Sequence, residues 1–382
     1  MAAYPSLAQR VAAHTRALGD AGLLRTLRPP QGIDLCSNDY LALARHPRLV
    51  EQMIDGIRRE GCGSTGSRLL RGDRDAFAGL ERQFAAFKGA ERSLYFSTGY
   101  LANIAVLTAF PESGDVIFSD ERNHASLIDG IRLSAARCVV FPHGDVETLG
   151  RLLEQHHDGG QAFVVIESLF SMDGDIAPLA GYAAVCRAAG AALIVDEAHA
   201  VGVYGARGSG LIEAAGIDAD VFVSVNTAGK ALGVSGAFVG GPAWAIEYLV
   251  QRARPFVFST APLPALVSAL EASLSIVAGE PDRRDVLTRL SSRLRTQLQH
   301  AGLSVPHGTS HIIPVLIGEN ERAILVAQTL QAQGFDVRAI RPPTVPAGTA
   351  RLRITVNVGL TGEIVDRFAR ALAGIEKLEL KT

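Results

Sequence analysis

The chain has 382 residues, 48% of them hydrophobic and 20% charged, with 39 glycines and a formal net charge of −2, the profile of a globular α/β protein of two or three domains. A near-neutral charge spread along the chain excludes a nucleic-acid or anionic-membrane binder, and no apolar run reaches the ~18 residues of a membrane span. The opening residues Met1–Ser6 lack a secretion signal, and Cys36, Cys62, Cys138 and Cys186 form no CxxC pair, so a cytoplasmic protein with buried, reduced thiols and no metal site is expected.

Residues 1–40 read as a helix and an irregular arm that closes on Cys36-Ser-Asn-Asp-Tyr40. Val50–Arg59 reads as helical. Short, apolar, turn-bounded runs then alternate with helical patterns. The strand candidates are Ser93–Phe96, Val116–Ser119, Cys138–Phe141, Phe163–Glu167, Ala191–Asp196, Val221–Val225 and Ala237–Val239. The helices between them include Ala102–Phe110, Val146–His156 and Leu179–Ala189. This alternation implies a mainly parallel sheet covered by helices on both faces. Long helices follow at Pro262–Ala278 and Arg283–His300, then strand candidates at Ile312–Ile317, Phe335–Arg338 and Leu352–Val356. The expected division is an N-terminal arm (1–40), a large α/β domain (41–275) and a small α+β domain (276–382).

Of 37 basic residues only four are lysines: Lys88, Lys230, Lys377 and Lys381. Lys88 ends a polar helical stretch, and Lys377 and Lys381 fall in a C-terminal tail read as solvated. Lys230 stands apart, in the glycine-spaced, apolar stretch Val225-Asn-Thr-Ala-Gly-Lys-Ala-Leu-Gly-Val-Ser-Gly-Ala237. Lysine, unlike arginine, loses its proton readily on burial and becomes a nucleophile able to form a Schiff base with a carbonyl or with pyridoxal phosphate.

Asp196 ends the strand of Ala191-Ala-Leu-Ile-Val-Asp-Glu-Ala-His199, at the edge where open parallel sheets bind ligands. A carboxylate there could keep a pyridinium nitrogen protonated, or could simply cap the next helix. Ser97-Thr-Gly-Tyr100 follows a strand and opens a helix, which suits a phosphate or plain capping. Thr227 offers a further hydroxyl. His124, in Asn123-His-Ala-Ser126, is either incidental or a flat ring for stacking. Ser171, in Glu167-Ser-Leu-Phe-Ser-Met-Asp-Gly-Asp175, is either a hydrogen-bonding hydroxyl or part of a turn. Arg351 and Arg353 alternate along one strand face, where they suit carboxylates or simply face water. Gly61-Cys-Gly-Ser-Thr-Gly66 matches the dinucleotide fingerprint but follows a helix pattern instead of a strand, so a nicotinamide-enzyme reading is rejected.

Together these motifs, from Ser37-Asn-Asp-Tyr-Leu41 to the last strand, resemble the α-oxoamine synthases. These are pyridoxal-phosphate enzymes of fold type I, the aspartate-aminotransferase-like fold. The resemblance implies a mostly parallel seven-stranded sheet in the large domain, and a homodimer with shared active sites. It implies Lys230 as the Schiff-base lysine, Asp196 as the pyridinium partner and His124 as the stacking ring. Ser171 and His199 would meet the phenolic oxygen, and Gly99, Tyr100 and Thr227 the phosphate, with Ser259 or Thr260 reaching in from the second subunit. Arg353 would bind the amino-acid carboxylate, with Asn38 near the substrate and Arg25, or Arg28, supplied by the arm. The segment Arg341-Pro-Pro-Thr-Val-Pro-Ala-Gly-Thr-Ala-Arg-Leu-Arg353 points, within the family, to condensation of L-alanine with pimeloyl-CoA or a pimeloyl-acyl carrier protein. The alternative is a sibling using glycine or serine.

Overall fold

The structure, a computed structural model, describes residues 4–156 and 159–379. Lys381 lies outside them, as does the side chain of Lys377, whose backbone belongs to the helix Gly362–Glu379. Among the described residues the strands are β1 (Ile33–Asp34), β2 (Arg92–Phe96), β3 (Val116–Asp120), β4 (Arg137–Phe141), β5 (Ala162–Glu167), β6 (Ala192–Asp196), β7 (Val221–Thr227), β8 (Ala237–Gly241), β9 (Ile312–Gly318), β10 (Phe335–Asp336), β11 (Ala339–Ile340) and β12 (Ala350–Thr355).

Seven of them form one sheet in the order β2-β8-β7-β6-β5-β3-β4. The pairings from β7 to β4 are parallel, and β8 runs antiparallel to both its neighbours. The mostly parallel α/β reading of the sequence is borne out. Burial on both faces explains why β5 and β6 are apolar up to their last residues, Glu167 and Asp196. Phe163, Val165 and Ile194 enter the core on one face, with the helix Gly99–Ala109. Ala162, Val164, Ile166, Leu193 and Val195 enter the core on the other, with the helix Leu179–Ala189.

The helix Gly99–Ala109 begins three residues before its expected start. Thr98 caps it by accepting the Leu101 N–H, which leaves Gly99 in the first turn. The C-terminal part carries the antiparallel sheet β11-β12-β9. The arm is tied down as well, since β1 pairs in parallel with β10 through Ile33–Phe335 and Asp34–Asp336. A third core joins residues 35–49, the helix Asp75–Lys88, the long helices after residue 266 and the C-terminal strands. Among the described residues no helix is long and apolar enough to cross a membrane.

One expectation needs correction. Cys62 and Cys138 are exposed and Cys36 is partly exposed, so only Cys186 is a buried thiol. The fingerprint match Gly61–Gly66 follows the helix Pro47–Glu60, with no strand between, which agrees with its rejection.

Candidate active site

The parallel strands deliver their carboxyl ends to one edge, and the chemistry collects there. β5 ends on Glu167, β6 on Asp196, β7 on Thr227, and His124 caps the helix that follows β3. Glu167 pairs with Asp196 and Asp196 with Val225 across the register, which brings these chain ends level.

After β7 the chain makes a tight turn that carries Lys230. Ala228 N–H donates to Gly236 O at 2.8 Å, Val234 N–H to Ala228 O at 3.0 Å, and Gly233 N–H to Lys230 O at 2.8 Å. Gly233 has φ +67°, and a Cβ there would lie 2.6 Å from Ala44 N, so only glycine fits. Lys230 Nζ lies 2.7 Å from His199 Nε2. Desolvation lowers its pKa to about 8, against the opposing pull of Asp196 and Glu167. Burial, with Lys230 and Arg353 nearby, holds His199 well below its ordinary value and therefore neutral.

Asp196 Oδ2 accepts from Asn103 Nδ2 at 2.7 Å and Oδ1 from Ala198 N–H at 2.8 Å. The same Asn103 amide donates to Ser126 Oγ at 2.9 Å, and Ser126 Oγ lies 2.8 Å from His124 Nδ1. Asn103 therefore links His124 to Asp196. It was not singled out in the sequence, although a lone amide within Gly99-Tyr-Leu-Ala-Asn-Ile-Ala-Val-Leu-Thr-Ala109 was a usable signal.

On the opposite wall, Arg353 is buried and donates through Nε to Ser171 O and through Nη1 to Asn38 Oδ1 at 3.2 Å. Arg351 is also buried and donates to Asp173 Oδ1 at 2.5 Å, so neither arginine lies on a solvated face. Tyr40, at the end of the Ser37-Asn-Asp-Tyr stretch, was given no role in the sequence. Its hydroxyl donates to Asn38 Oδ1 at 2.9 Å and lies 2.6 Å from His199 Nδ1.

Gly99 opens its helix against Thr227; a Cβ on Gly99 would sit 3.5 Å from Thr227 Oγ1. The first-turn N–H groups of Gly99 and Tyr100 have no intrahelical carbonyl to bond. The Tyr100 ring is exposed and its hydroxyl donates to Asp129. Within this single chain, half-buried Ser259 and exposed Thr260 make no described contact with Lys230. Arg25 and Arg28 line a separate cavity of about 420 Å³ with Arg338 and Arg341, and Arg25 Nη2 donates to Thr344 Oγ1 at 3.4 Å.

Lys88 is the more fully buried lysine, 4% exposed where Lys230 is partly buried. Its ammonium bonds the Glu197 carboxylate and donates to Ser209 O at 2.9 Å. Glu197 Oε1 in turn accepts the N–H groups of Leu211 and Ile212 at 2.7 and 3.0 Å. Burial therefore does not single out Lys230, contrary to the contrast drawn from the sequence.

The model of the family described as aminotransferase class I and II matches residues 30–372. The chain is 41% identical to the 8-amino-7-oxononanoate synthase of Geobacter sulfurreducens, across 97% of this chain and 99% of that one. It is 46% identical to the 8-amino-7-oxononanoate synthase of Anaeromyxobacter dehalogenans, across 96% and 95%. The chain belongs to the class I and II aminotransferase family, among the 8-amino-7-oxononanoate synthases. A solved serine palmitoyltransferase from S. paucimobilis, with bound PLP and myriocin, superposes at TM-score 0.91 with 27% identity over 99% of each chain.

The residues present fit pyridoxal phosphate. Free helix N–H groups beside the Thr227 hydroxyl suit a phosphate, and Asp196 supplies a fixed anion. Lys230 supplies the amine, and the buried Glu167 Oε1 has no hydrogen-bond partner among the described residues.

Proposed function

We propose that the chain catalyses the decarboxylative condensation of L-alanine with a pimeloyl thioester, carried by coenzyme A or an acyl carrier protein. The products are 8-amino-7-oxononanoate, carbon dioxide and the free thiol, in biotin formation. The observation that carries this reading is the gathering of Lys230, His199 and Asp196 at one sheet edge with Arg353 on the facing wall, in a chain 41–46% identical to these synthases over nearly its whole length.

Pyridoxal phosphate, when bound, supplies an electron sink for negative charge at the amino acid's Cα. Gly99, Tyr100 and Thr227 would hold its phosphate, with Ser259 or Thr260 of a second copy. His124 would cover the ring, Ser171 and His199 would meet its phenolic oxygen, and Asp196 would keep its nitrogen protonated. Lys230 holds the group and, as the free amine, takes and returns the proton at Cα. A pKa near 8 leaves a working fraction of that amine at neutral pH. Arg353, steadied by Ser171 O and Asn38, would take the amino acid's carboxylate as a planar fork. Arg25 or Arg28 would serve the acyl donor.

A homodimer is supported by exposed apolar side chains: Phe258, next to Ser259 in the chain, is 71% and Leu70 83% exposed. We also assign the chain to the cytoplasm, and keep its division at residues 40 and 275.

A serine-using sibling is the second reading, favoured by the TM-score of 0.91 to serine palmitoyltransferase. The higher identity to the synthases outweighs it. The deciding experiment follows the absorption spectrum of the PLP-loaded protein with L-alanine, glycine and L-serine in turn, then adds pimeloyl-CoA and weighs the product. A response to alanine and a product of the mass of 8-amino-7-oxononanoate support the assignment. A response to glycine or serine alone moves the chain to a sibling, and no response to any amino acid refutes the reading.

A further inference from the structure

A series of hydrogen bonds runs from Arg353 to Lys230, and its proton positions are forced. Arg353 Nη1 and Tyr40 Oη both meet Asn38 Oδ1, at 3.2 and 2.9 Å. A guanidinium only donates, so the Asn38 atom it faces must be the oxygen, which removes the usual ambiguity of an amide's orientation. Facing an acceptor-only atom, Tyr40 spends its one proton on Asn38. Burial pushes the Tyr40 phenol up to about 12, so that proton is present at neutral pH. Tyr40 Oη is then left only to accept, and it lies 2.6 Å from His199 Nδ1. The neutral His199 must place its single N–H there. Its Nε2, 2.7 Å from Lys230 Nζ, therefore carries a lone pair.

We propose that Tyr40 is a positioning residue: together with Asn38 it fixes His199 as the Nδ1–H tautomer and presents a proton acceptor to the Lys230 amine. With the opposite tautomer, an Nε2–H would occupy the amine's lone pair and block it from taking a proton. With this one, Lys230 donates a hydrogen to His199 and keeps its lone pair directed into the site. The proposal rests on Lys230 being the reactive amine, but the tautomer itself can be measured without turnover.

The test is nitrogen NMR of the PLP-free protein, in which the Lys230 amine is free, made with isotope-labelled histidine, the His199 signals being assigned by their loss in His199→Asn. The wild type should show Nδ1 protonated and Nε2 bare. Asn38→Asp, which keeps the acceptor, should preserve that pattern. Asn38→Ala frees the Tyr40 proton to donate to Nδ1, and the pattern should reverse. Tyr40→Phe should populate both tautomers and lower kcat by about 10- to 100-fold, the range for partners that orient a functional histidine, with KM for the amino acid nearly unchanged. A wild type protonated on Nε2, or an Asn38→Ala spectrum identical to it, overturns the proposal. Should Tyr40→Phe fail to fold, the Asn38 pair still decides. A correct tautomer in a protein inert to every amino acid would refute the functional reading and leave this one standing.

Discussion

Glu167 and Asp196 end adjacent parallel strands at the same register, so two carboxyl groups stand side by side at the sheet edge. Asp196 has donors on both oxygens, whereas Glu167 is 3% exposed and its Oε1 has no partner among the described residues. Burial first, then the charge of Asp196, pushes Glu167 well above its ordinary value of 4.5. Glu167 therefore holds its proton to higher pH than a free glutamate does.

This pairing has a pH signature. A raised folded-state value means that the contribution of Glu167 to stability is complete below its ordinary value and is lost as pH rises through the folded one. Glu167→Gln, neutral at every pH, removes that loss. Its melting temperature relative to wild type should climb as pH rises above 4.5; a difference that stays flat with pH would show Glu167 ionised throughout.

Lys230→Ala should abolish turnover and leave no PLP trapped on the protein after borohydride reduction, read by intact mass. Asp196→Asn should fold with unchanged circular dichroism and lose about 10²–10³-fold in kcat, the scale for removing one fixed electrostatic partner of the reacting group. A near-wild-type rate for either variant would contradict its assigned role.

Lys88→Met should cost about 3–5 kcal/mol in chemical denaturation, because Glu197 is left as an uncompensated buried charge. Adding Glu197→Gln to Lys88→Met should recover part of the loss, since the amide oxygen can still accept from Leu211 and Ile212. If the double variant is no more stable than the single one, the cost lies in packing and not in charge.

His143 binds Asp120 through Nδ1 at 2.9 Å and Asp175 through Nε2 at 2.6 Å, tying the turn after β5 to the end of β3. Burial lowers its pKa, but the two carboxylates outweigh that and raise it to about 9. The resulting stabilisation is complete below the ordinary value of 6.5 and lost as pH rises through about 9. The unfolding free-energy difference between wild type and His143→Gln should be largest near pH 6 and fade by pH 10.

Lys230, Asp196 and His124 were legible in the sequence because each is a distinctive residue type at the end of an apolar run, where a parallel sheet must present it. The alternation of Arg351 and Arg353 put both on one strand face but did not show that both are buried and bonded within the protein. The residues that orient these groups were not legible. Tyr40 meets His199 across 159 positions, Asn103 meets Asp196 across 93, and Lys88 meets Glu197 across 109. No local periodicity encodes such pairings; the order in which strands cross over in the sheet creates them. The same limit hid the parallel pairing of β1 with β10, which makes the end of the arm a strand of the C-terminal part instead of a loose leader.

The glycine at 233 leaves no gap between the Lys230 turn and the backbone of Leu43 and Ala44. Five residues upstream of Leu43, Asn38 sets the Arg353 fork, and Tyr40 between them sets His199. One short stretch is thus a spacer gauge, seated on the Lys230 turn at one end and on Arg353 at the other. An insertion or deletion of a single residue between Asn38 and Ala44 would throw both ends out of alignment at once.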